Sequence, residues 1–598
     1  MINFFLLAWD PANPEKSAAA KRLIEQTREK TETYQEVFQT KGVAVYANKP
    51  TSKNTFPLQN RSGVILGRLF RGTGPSGGAA SVDRLSEKES QKIWESRGDY
   101  LTDAFWGSYI AVLPRAESEL MVGRDCSNLQ LCYTTWCDDV FIAFSNMDTL
   151  PFLDAICKDI NWNYLAINAK YDVIPLIETG LKHVQQMPAG AYAKINLRTK
   201  QIEIVRSWKP ETFTSDLIED FETAKRMLYE NVLSTVNVQS KNFNNISLNL
   251  SGGLDSSILL ACLRKTRPAA SIHAMHLHSL DNDVSEEHYA RAMADAYDVE
   301  LGVEEAKANV DSNSIFSAPP PWPIPSGMGD NGDEETRKYE KYLEARNIDG
   351  IFQGQGGDQI FFKRPQLAPL FDYRRKHLFD LQYYKILLNT ARLTGASIWK
   401  LQKIMPPKEN GLSTDQGPAN VFLSSDISNG LTPVNVYEEH PWFQTNEPFS
   451  FGKFNQLSKF TMFNFYAQIL IASPFKAPTL PPLICQPLME AALRIPTHFL
   501  LAGGRNRGLA REAFKRELVP MVYNRELKGF VTKYVSNTVI RNLKPMREFL
   551  LDGCLAKANF LDRGVLEANL NEDRIKVDKI GVFILETVKY EKWVRSMA

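Results

Sequence analysis

The sequence contains no uninterrupted apolar run approaching the ~20 residues that a bilayer-spanning helix needs. It also lacks any excess of charge of one sign: its 598 residues carry a formal net charge of +1, so no global field recruits nucleic acid or an anionic membrane. Paired Cys-x-x-Cys spacing is missing. The seven cysteines (Cys126, Cys132, Cys137, Cys157, Cys262, Cys485, Cys554) are odd in number and scattered, which argues against a disulfide framework or zinc site and predicts reduced, mostly buried thiols. The apolar start from Met1 to Ala8 has no basic flank and is stopped by Asp10-Pro11, so it reads as a first strand and not as a signal peptide. Together these absences predict a cytoplasmic protein. No Gly-x-x-x-x-Gly-Lys-Ser/Thr loop is present, which excludes that phosphate cradle, and no internal repeat organises the chain.

What is there is a soluble globular composition, 43% hydrophobic and 23% charged, at a length that suggests two to four domains. Residues 1 to about 210 read as an antiparallel β-rich domain, with short strands at Gly63 to Phe70, Gly107 to Leu113, Leu120 to Asp125 and Val140 to Ser145. Trp208 to Ser215 is the expected linker. From about 246 strands alternate with helices, the pattern of a parallel sheet covered on both faces. Ser271 to Leu277 is the second strand, Ser285 to Tyr297 a helix, and Pro319 to Pro325 a proline loop that cannot be helical. A charged helix from Asp333 to Arg346 leads to the apolar Gly350 to Gln353, and residues from about 365 to 598 have helical periodicity.

Chemistry concentrates first in Ser251-Gly252-Gly253-Leu254-Asp255-Ser256-Ser257. An alternating apolar run precedes it and an apolar helical run follows, so it reads as a strand, a tight turn and a helix start. Unpaired N–H groups at a helix N-terminus, two glycines without Cβ atoms and three hydroxyls suit a pyrophosphate, and Asp255 can hold a divalent cation against it. The plain alternative is a strand-to-helix connection capped by Asp255 or Ser256. A second loop, Gly354-Gln355-Gly356-Gly357-Asp358-Gln359, follows the strand at Gly350. Ligands sit at the carboxyl ends of strands in open α/β sheets, so the two loops should face one crevice, with Asp358 as the second carboxylate for Mg²⁺. A third cluster carries Arg505, Arg507, Arg511, Arg525 and Lys528. Negative charge builds on a phosphate or oxyanion during adenylation and acyl transfer, and Lys528 is the catalytic candidate to stabilise it. The arginines are read as a solvated helix face or as salt-bridge partners.

The Ser251–Ser257 heptad resembles the PP-loop of ATP pyrophosphatases, which adenylate a substrate and release pyrophosphate. Both halves of the chain resemble the asparagine synthetase B superfamily. The matching stretches are Phe105 to Tyr109, Gly123-Arg124-Asp125, Thr179-Gly180-Leu181 with Pro188-Ala189-Gly190, the two glycine loops, Pro487 to Glu490, and Arg525 to Phe530. The resemblance implies two domains. Residues 1–210 form an Ntn-hydrolase-like, glutamine-amidotransferase-like β-sandwich, and residues 219–598 a PP-loop synthetase domain of Rossmann-like α/β type with a helical C-terminal part. It implies ATP and Mg²⁺ as cofactors, with Ser251 to Ser257 and Gly354 to Gly357 at the nucleotide and Asp255 and Asp358 at the metal.

One departure redirects the reading. Glutamine-dependent members use a cysteine at the processed N-terminus, where this chain has Ile2, and an isoleucine side chain cannot attack an amide. Members lacking that cysteine include β-lactam synthetases and lasso peptide cyclases, which close a ring with an amine of the substrate itself. β-Lactam synthetases carry tyrosine at the position of Gln355, whereas Gly-x-Gly-Gly-Asp-x-x-Phe here is more similar to lasso cyclases. Gly63 to Phe70 and Glu439 to Trp442 also look like them, although His440 otherwise reads as a structural histidine before a proline turn. Glutamine cannot act as a base, so Gln355 and Gln359 leave the base unassigned. The expectation is an ATP-dependent macrolactam synthetase acting on a precursor core peptide held in the helical part, with a leader peptidase and a leader-recognition protein as partners. A β-lactam synthetase, an ammonia-using amide synthetase and a catalytically silent peptide-binding scaffold are the alternatives.

Overall fold

The strand Phe4–Ala8 is buried along its whole length, because it lies inside one sheet with a layer on each face. The structure, a computed structural model, describes residues 2–30, 33–72, 79–171, 177–279, 286–306, 315–316, 322–325, 334–363, 366–375, 377, 380–405, 421–431, 437, 439–471, 473, 475–526, 532–577 and 580–597. Its first sheet runs Gln185–Gln186, Tyr133–Cys137, Val140–Phe144, Phe4–Ala8, Val43–Asn48, Tyr34–Thr40, all antiparallel. The second runs Ile202–Arg206, Ala191–Asn196, Glu119–Arg124, Phe105–Ala116, Val64–Arg71, Thr55–Pro57, with Ala80–Ser81 beside Val64–Arg71. Side chains alternate along a strand. Phe4, Leu6 and Ala8 therefore pack with Val64, Leu66, Ile110 and Val112 between the sheets, while Phe5 and Leu7 face the helix Pro14–Lys30.

Beyond this sandwich a five-stranded parallel sheet runs Glu300–Ala306, Ser271–Ser279, Asn245–Asn249, Gly350–Gln353, Thr479–Leu480. From Asn245–Asn249 the chain builds outward on one side, then returns to lay Gly350–Gln353 on the other. Those two strands therefore flank the point where strand order reverses, the place where an open α/β sheet leaves a crevice at its carboxyl edge. Among the described residues beyond 365, the named elements are helical apart from Thr479–Leu480, as the periodicity predicts. None of the described helices is long and apolar enough to cross a membrane.

Several expectations shift in detail. The helix expected from Ser285 runs over Glu287–Ala296, and that from Asp333 over Glu334–Ala345; Ser285 and Asp333 lie outside the described residues. In the proline loop, Pro319 to Pro321 also lie outside, and Trp322 is buried with its carbonyl accepting from Trp593 Nε1 at 2.8 Å. The expected linker is no bare tether: Trp208 is buried, its Nε1 donates to Glu490 Oε1 at 3.1 Å, its ring lies 5.0 Å from that of Trp442, and Glu211–Ser215 is helical. The reason is packing, since one apolar cluster joins Phe5 and Phe144 of the sandwich to Leu248, Trp442 and Trp593. All seven cysteines are free, and Cys157 alone is exposed.

Candidate active site

The heptad lies at the carboxyl end of Asn245–Asn249, and the helix Leu254–Thr266 starts on Gly253 with no side-chain cap. Its leading N–H groups keep their electrostatic pull on an anion. Gly252 has φ +68°, and a Cβ there would stand 2.7 Å from Tyr289 Cβ, so this turn takes glycine for conformation and space alike. Ser251 N and Oγ both lie 3.3 Å from Ser256 Oγ, and Gly253 N donates to Ser251 Oγ at 3.3 Å, which holds the loop closed on itself. Leu254 and Ser257 are buried. Their side chains face the protein interior; Ser257 N donates to Gly253 O at 3.2 Å, and Ser257 Oγ has no hydrogen-bond partner among the described residues.

The second loop is pressed against the first. Gly354 follows Gly350–Gln353, and the short helix Gly357–Ile360 opens on Gly356 at φ +90°. A Cβ on Gly357 would come 2.4 Å from Asp255 Cγ, and one on Gly354 2.8 Å from Ser256 N. Absence of side chains at these two positions is what lets the carboxylates of Asp255 and Asp358 approach. Gln355 Oε1 is buried without a hydrogen-bond partner among the described residues.

Both carboxylates meet on Arg507. Its Nη1 donates to Asp255 Oδ2 at 2.8 Å and to Asp358 Oδ1 at 2.9 Å, and Lys363 Nζ stands 3.0 Å from Asp358 Oδ2. Two carboxylates from separate loops sharing one cationic nitrogen form the kind of oxygen donor set that suits a hard divalent cation, so the residues fit Mg²⁺. The other arginines of the cluster bind carbonyls. Arg525 donates to Gly252 O at 2.9 Å, pairs with Glu286 and lies 4.2 Å over the Tyr289 ring, clamping the heptad's turn. Arg511 donates to the carbonyls of Val522, Tyr523 and Arg525, and burial, then the charges of Arg505 and Arg507, push its pKa down to about 10. Arg505 donates to Tyr523 O at 2.7 Å.

The expectation of a solvated arginine face is thus corrected for Arg507 and Arg511, which are buried, and the salt-bridge alternative holds for Arg507 at the centre of the site. A signal existed in the sequence. Arg507 precedes Gly508 at a helix start, where a cation opposes the helix dipole unless an anion compensates it. Lys528 lies outside the described residues.

Tyr466 closes one side. Its hydroxyl accepts from Gln359 Nε2 at 3.4 Å, and burial, reinforced by the charges of Asp358 and Asp255, raises its pKa. In the sandwich, Ile2 is buried and exchanges backbone hydrogen bonds with the Gln130 amide. Arg124 is buried as well and donates to the carbonyls of Gln130, Met187 and Asn128 and to Asn464 Oδ1. Burial raises the Asp125 carboxyl to about 6. His440 Nδ1 accepts from Trp442 N at 3.3 Å, as a structural histidine would.

A family model described as asparagine synthase matches residues 227–580. Among curated proteins no match to the chain is found. Among solved structures, a Bacillus subtilis glutamine phosphoribosylpyrophosphate amidotransferase is 10% identical over 51% of this chain and 65% of its own, with a TM-score of 0.20. An NMN synthetase from Francisella tularensis is 12% identical over 44% of this chain and 95% of its own, with a TM-score of 0.17. A glutamine-dependent NAD⁺ synthetase from Acinetobacter baumannii is 14% identical over 42% and 61%, with a TM-score of 0.17. The chain thus spans less than two thirds of the first of these.

Proposed function

The chain belongs to the asparagine synthase family, and on that premise we propose that it is a lasso peptide cyclase, an ATP-dependent macrolactam synthetase. At the coarser level it is an ATP-using amide ligase. The observation that carries the proposal is the meeting of Asp255 and Asp358 on one cation, at the carboxyl ends of the two strands that flank the strand-order reversal.

In this reading ATP lies along the two glycine loops. The side-chain carboxylate of an Asp or Glu in a core peptide attacks the α-phosphorus; the bond to the bridging oxygen of the β-phosphate breaks and pyrophosphate leaves. The peptide's own N-terminal amine then attacks the acyl carbon, loses a proton, and AMP departs with its oxygen, leaving an isopeptide bond. The N–H groups at the start of Leu254–Thr266 bind phosphate oxygens, and Arg525 keeps the turn in shape through Gly252 O. Asp255 and Asp358 would hold Mg²⁺, which neutralises phosphate charge when bound. Lys528 remains the candidate to stabilise charge on the α-phosphate and on the later oxyanion. Exclusion of water protects the acyl-adenylate from hydrolysis.

Ring closure is favoured over glutamine-dependent amide synthesis by Ile2, which is buried and offers no nucleophile. The proposal extends to a cytoplasmic setting and to a leader peptidase and leader-recognition protein as partners. Its test is mass spectrometry of candidate precursor peptides incubated with the protein, Mg²⁺ and ATP. The expected product has lost one water and cannot be labelled at its N-terminus. Pyrophosphate release with an unchanged peptide mass would favour another amide ligase, and no release from any peptide would favour a silent scaffold.

A further inference from the structure

A cavity of about 310 Å³ opens between the sandwich and the helical part, lined by Asn128 and Gln186 on one side and by Asn464 and Tyr466 on the other. Tyr466 joins it to the active site, because its hydroxyl accepts from Gln359, the neighbour of Asp358. The volume is at the lower end of the roughly 300–1,000 Å³ of small-ligand sites.

The lining is polar without net charge. Glu586 and Lys589 pair with one another, and the remaining polar side chains are neutral amides, hydroxyls and His440. Some of their atoms are already engaged. Asn464 Oδ1 accepts from Arg124, Asn168 Oδ1 accepts from Tyr590 at 2.6 Å, and His440 Nδ1 accepts from Trp442 N. What these three offer a ligand is therefore donors: two amide NH₂ groups and the Nε2–H of the tautomer that Trp442 selects. Asn128 is 3% exposed, yet among the described residues its side-chain amide makes no hydrogen bond, and neither does that of Gln186. Both residues line the cavity, so amides without a protein partner there are free to pair with a ligand that enters it. Groups that donate to carbonyls, beside two amides that can both donate and accept, complement a peptide backbone, and the one cation of the lining, Lys589, is already paired with Glu586, so no charge there selects a phosphate or a free carboxylate.

We propose that this cavity is the subsite for the backbone of the peptide acyl substrate, holding the residues that flank the carboxyl group while that group reaches the Asp358 loop. The inference rests on the ligase reading above. It makes Asn128 and Gln186 positioning residues and assigns the cavity a neutral, extended peptide segment.

The probe is a pool of linear synthetic peptides, each bearing one Asp or Glu, assayed with Mg²⁺ and ATP for pyrophosphate release; active members are then used singly. Asn128→Gly suits the left-handed backbone at this position, where φ is +66°, and Gln186→Leu removes the other amide. Each variant should raise the peptide KM about tenfold while the ATP KM stays within about twofold, the split expected when substrate binding alone is lost. Phe465→Trp adds bulk at an exposed position on the cavity wall, and it should impair peptide-dependent release with nucleotide binding kept. No release from any peptide withdraws the ligase reading and the subsite with it. Release with an unchanged peptide KM in all three variants overturns the subsite alone, and equal rises in the KM of peptide and ATP overturn it as well, since that marks general damage.

Discussion

Arg507 reaches Asp255 across 252 positions of sequence, its Nη1 2.8 Å from Oδ2, and the same nitrogen serves Asp358 at 2.9 Å. The guanidinium is thus placed where both carboxylates converge, and a divalent cation binding them competes with it. Removing one partner of a buried ion pair costs roughly 3–5 kcal/mol when burial is complete, and less here, since Asp358 is partly exposed. Arg507→Ala should therefore melt lower than wild type without metal and recover more of the difference on addition of Mg²⁺. Thermal melts with and without Mg²⁺, and a Mn²⁺ titration followed by electron paramagnetic resonance, measure this. A variant no more responsive to the metal than wild type would falsify the placement of Mg²⁺ at these two aspartates.

Gly357 is the contact between the loops, and the 2.4 Å that a Cβ would leave to Asp255 Cγ is too short for any real neighbour. Gly357→Ala must push the loops apart. Pyrophosphate release should fall by about a hundredfold, on the order of 3 kcal/mol in transition-state stabilisation, while overpacking lowers stability by roughly 1–3 kcal/mol. Near-normal release with a lowered melting temperature would show that loop spacing matters to the fold and not to the chemistry.

The two glycine loops were legible because each pairs a strand-end position with residue types that a phosphate site needs; the β-rich and α/β halves followed from period and from strand–helix alternation, and the finer fold class from the family resemblance. The partners of Arg507 and the place of Tyr466 were not, for a physical reason. Arg507 acquires its meaning from two carboxylates contributed by other strands, and Tyr466 from a cavity whose walls come from both halves of the chain. The packing of Trp208 is not legible either, because local composition around Lys209-Pro210 resembles a linker, whereas its partners Glu490 and Trp442 lie more than two hundred residues away. Local pattern reports the element; non-local pairing decides the site.

Lys528 follows Arg525 and Glu526, which the buried Arg511 anchors through the Arg525 carbonyl at 2.7 Å. A lysine acting on charge that develops during the reaction contributes more to the transition state than to ground-state nucleotide binding. Lys528→Ala should lower kcat by about a hundredfold or more and leave ATP affinity within about threefold. Single-turnover adenylation and equilibrium nucleotide binding separate the two. Loss confined to affinity would remove Lys528 from the chemistry.

His440 gives the chain an acid sensitivity. Burial, followed by the nearby charge of Arg124, pushes its pKa down to about 3 from 6.5. The unfolded chain binds a proton here below pH 6.5 and the folded chain does not until about pH 3, so its contribution to stability is complete above pH 6.5 and is lost as pH falls through that interval. Asparagine cannot titrate there and can still accept from the Trp442 N–H through its side-chain oxygen. His440→Asn should accordingly lower stability at neutral pH through lost packing, yet lose less stability than wild type between pH 7 and pH 4, by on the order of 2–3 kcal/mol. Denaturant unfolding of both proteins at the two pH values measures the difference. Parallel losses would mean that His440 is protonated in the folded state, and the neutral imidazole donor assigned to the cavity beside Tyr466 would have to be given up with it.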